Sequence, residues 1–499
     1  MLDNIKSLIV IIFFATIFFY FARQTSCSII GADNFTRRRN IWFAMTAAGF
    51  LAYNFWLYVV IVISILIYNK PREAKPLSLY FITLFVLPMA TVPIPGMGVV
   101  NYIFELSHAR VLSLVILLPA FLALRRKGDG PALGSIAPDK AFIAYLFLYI
   151  VLYSRGNNFA EATFTSAIRE TFYVFIDVFL PYYVITRSLR SMQDFRDAFL
   201  SFLLAVILIA LLSVFESVKG WILYQPLVNS LGLRGAMTNY MGRGDLTRAV
   251  VTSGQAIALG YLMVVGIGLY FFLQHMIENK TIRRFGMALL IGGLIGSVSR
   301  GPWVGAVALI LVYFATGRYV VSRIMMLALA VLIFFSLAAL FPGGEKIINM
   351  LPFVGTSETE NVDYRADLFT NSMIIIQRYP WFGSTDYLKA PEMLVMIQGE
   401  GIIDVVNSYI GIALAQGFTG LGLFVTFFAL TLSGIFRAMR LISDKDSAEY
   451  LLGRALVATL IGILVTIATV SSITLIPIVY WSAAGMGVAY AQMVRNNTV

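Results

Sequence analysis

Three arginines stand at positions where a membrane protein could hold a phosphate. Arg248 directly precedes an apolar run, Arg300 lies between two apolar runs, and Arg365 opens a polar stretch. A guanidinium presents a fixed fork of N–H donors that matches phosphate oxygens. An arginine near hydrocarbon is costly unless it faces a cavity or a partner. These residues therefore predict a phosphate or pyrophosphate site at one membrane face.

The same arginines also have structural interpretations, which the sequence leaves open. Arg300 could be an interfacial arginine that only reaches for the headgroups, since Gly301 and Pro302 predict a tight turn beside it. Arg365 could form a local ion pair with Asp363 or Asp367.

The loop 219–253 carries two further arginines, Arg234 and Arg243. They fit a solvated loop as well as they fit substrate contacts. We treat both as candidate substrate-binding residues.

The composition is that of a membrane protein. Of 499 residues, 59% are hydrophobic and 13% charged, whereas about 25% are charged in soluble domains. Repeated apolar runs of about 20 residues predict an all-α polytopic chain, because lipid requires every backbone polar group to be bonded internally. One cysteine and two histidines offer little for a metal centre. Since no nucleotide-binding or metalloprotease motif occurs, we expect neither metal nor cofactor.

We predict about fourteen transmembrane helices. Their expected bounds are 7–22, 41–68, 78–94, 109–124, 139–154, 170–187, 196–218, 254–274, 284–299, 302–317, 323–341, 407–436, 451–471 and 473–492.

Basic clusters predict the orientation. They fall in alternate loops, at 70–75, 125–127, 187–196, 280–284, 318–323 and 437–440. The positive-inside rule makes these loops and both termini cytoplasmic, so the net charge of +11 indicates a lipid bilayer and no nucleic acid as partner. The triplet 37–39 falls on the opposite side, which leaves the orientation of the first segment open.

One long polar stretch, 341–407, interrupts the apolar pattern between spans eleven and twelve. It holds nine acidic and four basic residues between Glu345 and Asp404, so we expect it on the translocated side. Apolar residues at helical spacing predict an amphipathic helix over 363–378. Where this insert rejoins the membrane, a helix is expected to break at Gly417–Gly420.

These features divide the chain into four predicted parts. They are N-terminal transmembrane helices (1–169), helices with the arginine loop (170–341), the periplasmic insert (342–406) and C-terminal helices (407–499).

Several short motifs resemble those of the O-antigen ligase and Wzy-type polysaccharide polymerase superfamily. Ser299-Arg300-Gly301-Pro302-Trp303 resembles its SRG-x-W element, and Tyr364-Arg365 with Arg378-Tyr379-Pro380-Trp381-Phe382-Gly383 resembles its R…P-x-x-G element. Asn407-Ser408-Tyr409 with Gly417-Phe418-Thr419-Gly420-Leu421 resembles its HN-x-Y…G-x-x-G-L element. The loop before a span in exopolysaccharide polymerases begins with an arginine, and Arg248-Ala249 with Gly254 to Gly260 resembles it. Glu216 and the pair Asp177 and Pro181 also resemble residues of those polymerases. The resemblance covers roughly residues 170–440.

The resemblance implies a GT-C-like glycosyltransferase of the bacterial inner membrane. Such enzymes transfer glycan from undecaprenyl pyrophosphate at the periplasmic face without a metal. On this basis Arg248, Arg300 and Arg365 are candidate catalytic residues. The candidate substrate-binding residues are Arg234, Arg243, Trp303, Tyr364, Arg378, Asn407 and Tyr409. A chain-length regulator and a flippase are candidate partners.

One departure from the family pattern concerns the acceptor. The ligases carry a histidine just before the asparagine, where this chain has Val406. This favours polymerisation, with an undecaprenyl-pyrophosphate-linked oligosaccharide as donor and as acceptor, over ligation to lipid A core. Asp404 or Glu400 is the candidate base, and we assign Asp404. A transporter of lipid-linked sugars is the alternative from another class, but no internal repeat supports it.

Overall fold

The computed structural model of the protein describes residues 2–96, 102–128, 130–154, 164–234, 242–243, 246–326, 328–329, 359–398, 401–473 and 475–498. These residues are mostly helical, and eight of the described helices are long and apolar enough to cross a membrane. The chain is a multi-pass membrane protein. The number of fourteen spans and the insert between spans eleven and twelve stay predictions, because 330–358 lie outside the described residues.

The helices before the polar stretch are listed here in chain order. They are α1 (Leu2–Ile30), α2 (Ala32–Leu51), α3 (Phe55–Asn69), α4 (Pro76–Thr83), α5 (His108–Leu112), α6 (Leu118–Lys127), α7 (Ala137–Ser154), α8 (Phe164–Tyr173), α9 (Leu180–Ser188), α10 (Met192–Lys219), α11 (Gln225–Leu231), α12 (Ala256–Leu273), α13 (Lys280–Gly296) and α14 (Arg300–Ala315). Two π-helical segments, Ser113–Leu117 and Val174–Phe179, join α5 to α6 and α8 to α9.

The described helices after it are α15 (Thr359–Arg378), α16 (Pro391–Leu394), α17 (Ser408–Arg440), α18 (Ala448–Ile467) and α19 (Ile476–Thr498). Short 3-10 turns cover Lys70–Arg72, Gln274–Met276 and Tyr387–Lys389. Two antiparallel hairpins complete the described structure: β1 (Thr91–Pro95) with β2 (Tyr102–Ser107), and β3 (Gly242–Arg243) with β4 (Leu246–Thr247).

The expected span 41–68 is wrong, because two helices occupy it. Helix α2 ends at Leu51, and Tyr53 adopts a positive φ of 50°. Asn54 then caps α3, since its side chain accepts hydrogen bonds from the backbone N–H groups of Trp56 and Leu57. The chain reverses direction here. Helices α1 and α2 therefore cross in the direction opposite to the one predicted.

This reversal explains the basic triplet 37–39. Arg38 is fully buried and pairs with Glu73 at 2.8 Å and with Asp197. Arg37 also pairs with Glu73, at 3.0 Å. The triplet therefore lies at the end of the bundle that carries the 70–75 basic cluster, which we call the basic end.

The N-terminus lies at the opposite end. The Asn4 side chain donates hydrogen bonds to the carbonyl of Phe50 at 3.3 Å and to Ser230 Oγ at 2.9 Å. Ser230 belongs to α11, which follows the end of α10 farthest from Asp197. The expectation that both termini lie on the basic side is therefore wrong for the N-terminus. We call this opposite end the arginine end.

Helices α14 and α18 pack closely through small residues. A side chain at Gly305 would overlap Thr466 Oγ1, and its Cβ would lie 2.9 Å from the carbonyl of Gly462. One turn earlier, a side chain at Gly301 would overlap Thr469 Oγ1. Small residues four apart let membrane helices approach in this way. The contact fixes the start of α14 against the segment 469–471 that follows α18.

The described part of the insert has a small core of its own. Leu368, Ile375 and Ile376 of α15 are buried against Met393 and Met396. Helix α15 thus confirms the predicted amphipathic pattern, although it begins at Thr359. Ala413 and Leu414 of α17 complete this core, so the insert rests on the first turns of α17.

Helix α17 is kinked at the predicted glycine. Gly417 has φ 64° and ψ −169°, outside the helical region. The loop after α15 fills the kink, because Phe418 N–H donates to the carbonyl of Pro380 at 2.7 Å and Ser384 N–H to that of Leu414 at 2.7 Å. The P-x-x-G and G-x-x-G motifs therefore contact each other in the structure.

Candidate active site

The loop that carries Arg248 is held by a buried carboxylate. Glu216, at the end of α10, accepts hydrogen bonds from the backbone N–H groups of Val250 at 3.0 Å and Val251 at 2.9 Å. It also accepts one from Leu223 N–H, at 2.8 Å. Val251 has a positive φ of 49°, which is strained for a β-branched residue. Glu216 therefore fixes the backbone just after Arg248.

Arg248 reaches the turn before α14. Its Nη2 donates to Ser299 Oγ at 2.9 Å, and its Nε lies 3.4 Å from the Ser297 carbonyl. The turn is made at Val298, with φ 45°. The expectation that Gly301–Pro302 form the turn is wrong, because both belong to the first turn of α14. Gly301 is required for close contact with Thr469.

Arg300 is the first residue of α14 and follows Ser299, the N-cap. The Arg248 side chain therefore reaches the helix N-terminus at which Arg300 stands, although 51 residues lie between the two in sequence. A helix N-terminus carries a partial positive charge from its unpaired N–H groups. The positive charges of the arginines and of the helix N-terminus together favour the binding of an anion here.

Arg365 approaches the same place from the insert. Its Nη2 lies 3.4 Å from the carbonyl of Thr469, the residue that packs on Gly301. The segment 469–471 thus connects the arginines of α14 and α15. The three arginines predicted to be catalytic come from separate parts of the sequence and converge around 297–301 and 469–471.

Asp404 lies beside the same segment. Its carboxylate accepts a short hydrogen bond from Ser471 Oγ. The Tyr364 hydroxyl lies 3.2 Å from both the backbone nitrogen and the backbone oxygen of Asp404. Tyr364 precedes Arg365, so one turn of α15 holds both Asp404 and an arginine near 469–471.

Of the three other predicted arginines, Arg378 lies apart from this cluster, whereas β3 pairs the backbone of Arg243 with Leu246, two residues before Arg248. Arg378 is at the far end of α15, roughly 20 Å along the helix from Arg365, and pairs with Glu392. Hydrogen bonds from its own backbone amide and from Arg378 lower the pKa of Glu392. Arg234 pairs through its backbone with Thr91 and exposes its side chain. For Arg243 the structure describes only the backbone, in β3.

The three remaining candidate residues make structural contacts. Trp303 Nε1 donates to the carbonyl of Leu294 at 2.9 Å, which ties α14 to α13. Asn407 caps α17 by accepting from Tyr409 N–H at 2.9 Å. The Tyr409 hydroxyl donates to the carbonyl of Leu464 in α18 at 2.9 Å. The asparagine and tyrosine of the N-x-Y motif therefore start and anchor α17.

A cavity of about 450 Å³ adjoins Asp404 at the arginine end. It lies between α7, the segment 170–178, the insert and the start of α17. Asp404, Asn407 and Ser471 line one side, and tyrosines line much of the rest. Burial raises the pKa of one of these, Tyr387, to about 12, so its hydroxyl stays protonated at neutral pH. The Asp404–Ser471 pair thus lines the cavity two residues from Thr469, which Arg365 contacts.

No histidine of the chain stands at this site. His108 is buried between Tyr58 and the carbonyl of Thr83, at 2.9 and 2.8 Å. Since a carbonyl only accepts, Nε2 donates to it and Nδ1 accepts from Tyr58, so both ring nitrogens have structural partners. His275 lies in the 3-10 turn after α12, at the basic end.

The other candidate base, Glu400, lies outside the described residues. Val406 packs against the small core of the insert. In the described parts of the chain, no group of three or more histidine, cysteine or carboxylate side chains is arranged to hold a metal ion.

Sequence reasoning missed several residues at the site. The predicted span 451–471 ends with Thr469 and Ser471, although ATVSS between two apolar runs is a polar signal. Glu170 and Gln416 lie within apolar or glycine-rich stretches, and the tyrosines of α7 form no motif. Only the packing of distant helices brings them together.

Comparison with known proteins supports the family assignment. No curated protein matches the chain. Residues 285–425 match the family model described as O-antigen ligase (Wzy_C). This range contains Arg300, Arg365, Asp404 and the motifs up to Leu421, whereas Arg248 and Glu216 lie before it. The domain indicates glycosyl transfer of the ligase or polymerase type on lipid-linked glycans. Residues 285–425 are therefore similar to the O-antigen ligase domain, in agreement with the resemblance that the motifs show.

Proposed function

We propose that this chain is a polysaccharide polymerase of the GT-C type. It joins undecaprenyl-pyrophosphate-linked oligosaccharide repeat units at the periplasmic face of the inner membrane. The observation that carries the proposal is the convergence of Arg248, Arg300 and Arg365 around 297–301 and 469–471, next to Asp404. Four parts of the chain contribute to one small region.

The arginines fit a departing pyrophosphate. Arg248 donates to the N-cap Ser299, Arg300 is the first residue of α14, and the helix N-terminus adds a partial positive charge of its own. Charge that develops on a leaving group is stabilised most by donors already in position. The lipid-linked donor is itself activated, so the reaction requires no nucleotide.

The transfer step needs one base and one leaving group. The oxygen of an acceptor hydroxyl forms a bond to the anomeric carbon of the donor glycan, and the bond from that carbon to the pyrophosphate oxygen breaks. Its electron pair leaves with undecaprenyl pyrophosphate, beside the arginines. The hydroxyl proton passes to the carboxylate of Asp404, which accepts a hydrogen bond from Ser471, while Tyr364 holds the Asp404 backbone.

The orientation follows from charge. The basic end of the bundle, with Arg37, Arg38 and the 70–75 cluster, is the cytoplasmic end under the positive-inside rule. The arginine end then faces the periplasm, where flipped lipid-linked repeat units arrive. A flippase that supplies them and a chain-length regulator are the partners this reaction would require.

Polymerisation is favoured over ligation by the residue at 406. Val406 packs into the insert core, and both ring nitrogens of His108 bind other groups. The histidine that the ligases place at this position therefore has no substitute among the described residues around Asp404.

Deletion of the gene separates the two activities. The expected result is accumulation of single lipid-linked repeat units, or of one unit on the final acceptor, measured by mass spectrometry of extracted glycolipids. If long polymer persists on undecaprenyl pyrophosphate and only its transfer is lost, the chain is a ligase. Unchanged glycolipids would refute both activities.

A further inference from the structure

The cavity beside Asp404 is chemically unlike the arginine cluster. Its lining includes six tyrosines and three carboxylates, and no lysine, arginine or histidine is among the described residues that line it. Such a surface repels a pyrophosphate. The cavity must therefore serve a different part of the substrate, one that is uncharged and offers hydrogen-bond donors.

Glu170 is the carboxylate with unused bonding capacity. It accepts one hydrogen bond, from the Tyr149 hydroxyl at 3.0 Å, and forms no ion pair with the described residues. Asp177, also in the lining, is instead paired with Arg110 at 2.8 Å. A carboxylate accepts about four hydrogen bonds. Glu170 can therefore accept from the hydroxyl groups of a ligand.

Gln416 supplies a second unsatisfied group. Its side chain is only 3% exposed. Its Nε2 donates to the Tyr145 hydroxyl at 3.3 Å, while its Oε1 has no partner among the described residues. Buried amide oxygens in proteins are nearly always bonded. Gly420 leaves the space for this side chain, since a Cβ there would lie 2.7 Å from Oε1.

Aromatic rings complete the lining. Tyr149 and Tyr153 are stacked, with centroids 4.4 Å apart and an angle of 22°. A sugar ring has an apolar C–H face that packs on aromatic surfaces and hydroxyl groups that bond at its edge. At about 450 Å³ the cavity is in the size range of ligand pockets.

We propose that this cavity binds the acceptor saccharide, with Glu170 and Gln416 holding its hydroxyl groups and Tyr149 and Tyr153 packing on its rings. Asp404 lines this cavity, and its partner Ser471 lies two residues from Thr469, which Arg365 contacts, so a hydroxyl held here is close to both the proposed base and the arginine cluster. The assignment to the acceptor rests on the proposed polymerase function, but the binding of a saccharide does not.

Binding is tested on the full chain in lipid nanodiscs. The probe is the lipid-free repeat-unit oligosaccharide, released by mild acid from lipid-linked glycans of a strain that encodes this chain. Saturation-transfer NMR and calorimetry should detect binding to the wild type. Glu170→Ala should weaken it about tenfold or more, the usual effect of losing a hydrogen bond to a charged group. Tyr149→Phe should weaken it as well, because it removes the hydroxyl that donates to Glu170 and orients its carboxylate.

Two controls separate binding from folding and from the arginine cluster. Glu278→Ala removes an exposed carboxylate at the basic end and should bind the probe normally. Arg300→Lys should also bind it normally. Tyr149→Phe keeps the ring and its packing and loses only one hydrogen bond, so its melting temperature should fall only slightly. No binding by the wild type, or wild-type affinity in both Glu170→Ala and Tyr149→Phe, would overturn the proposal.

Kinetics then test whether the saccharide in this cavity is the acceptor or part of the donor. With purified lipid-linked donor and the same oligosaccharide as acceptor, both cavity variants should raise the acceptor KM about tenfold and leave the donor KM unchanged. A rise in the donor KM alone would overturn the acceptor assignment. If binding follows the prediction while the gene deletion leaves glycolipids unchanged, the saccharide site stands and the polymerase function fails.

Discussion

Glu216 accepts a hydrogen bond from the backbone N–H of Val251 at 2.9 Å and thereby holds a β-branched residue at a φ of 49°. Val251 lies three residues after Arg248, and Val250 N–H donates to the same carboxylate oxygen. The position of Arg248, which we propose to bind pyrophosphate, thus depends on a carboxylate of helix α10.

Glu216→Gln should displace the Arg248 loop. The amide keeps one acceptor oxygen, but its NH2 group faces backbone N–H donors, so buried donors lose their partner at a cost of about 1–3 kcal/mol. We expect glycan polymerisation to fall about tenfold or more and the melting temperature to fall slightly. Polymer length on gels and thermal unfolding in detergent measure both. Glu278→Gln is the matched control, and wild-type activity in Glu216→Gln would contradict the positioning role.

Arg300→Lys tests the shape of the phosphate contact. Lysine keeps the charge but loses the planar fork. If Arg300 binds the leaving pyrophosphate, polymerisation should fall about tenfold to a thousandfold, the usual range for losing a transition-state donor. Immunoblotting establishes that the variant is present at the wild-type level. Full activity at normal expression would remove Arg300 from this role.

Gly301→Ala tests the contact between α14 and the segment 469–471. The added methyl would overlap Thr469 Oγ1, and overpacking of this kind costs about 1–3 kcal/mol. The shift would also separate Arg300 from Arg365, so activity should fall more than stability. Gly422→Ala is the control in α17, because a Cβ there meets no atom within 4 Å. That variant should keep full activity, and equal behaviour of the two would contradict the packing argument.

The ion network at the basic end should make stability depend on pH. Burial alone would raise the pKa of Glu73, but hydrogen bonds from Arg38 and Arg37 and the charge of Arg38 outweigh it and hold the pKa below its usual range. A carboxylate with a lowered folded pKa stabilises the fold above its unfolded pKa of about 4.3. This contribution is lost as the pH falls through the folded value.

Thermal unfolding between pH 3 and 7 measures this effect. The melting temperature of the wild type should fall below about pH 4.3, and that of Glu73→Gln should change less over this interval. Arg38→Met should lower it at neutral pH, by the loss of about 3–5 kcal/mol that breaking a buried pair causes. Arg39→Met is its control, since Arg39 bonds only to Asn40 among the described residues. If the melting temperatures of wild type and Glu73→Gln fell in parallel with pH, Glu73 would not be the source of the pH dependence.

Much of the fold could be predicted from local patterns. The membrane class follows from composition, the amphipathic α15 from the spacing of its apolar residues, and the break in α17 from Gly417. The division of 41–68 was missed because Ala52 and Tyr53 do not interrupt an apolar run. Only Asn54, as a helix cap, signalled it.

The site was predictable in its charges and not in its contacts. Arg248, Arg300 and Arg365 were found because arginine is rare beside apolar runs. Gln416 and Glu170 were not, since their significance depends on which groups around them lack partners. That information arises only when α7, α8 and α17 pack together.

The close packing of α14 on α18 has a consequence for how the site can be altered. The arginine of α14 is positioned by glycine and threonine contacts between two membrane helices, whereas the saccharide cavity is built from α7, α8 and the insert. The position of Arg300 and the wall of tyrosines that α7 gives to the cavity thus have separate supports. An engineer could change which sugar is accepted through α7 and the insert, without redesigning the helix pair that holds the pyrophosphate.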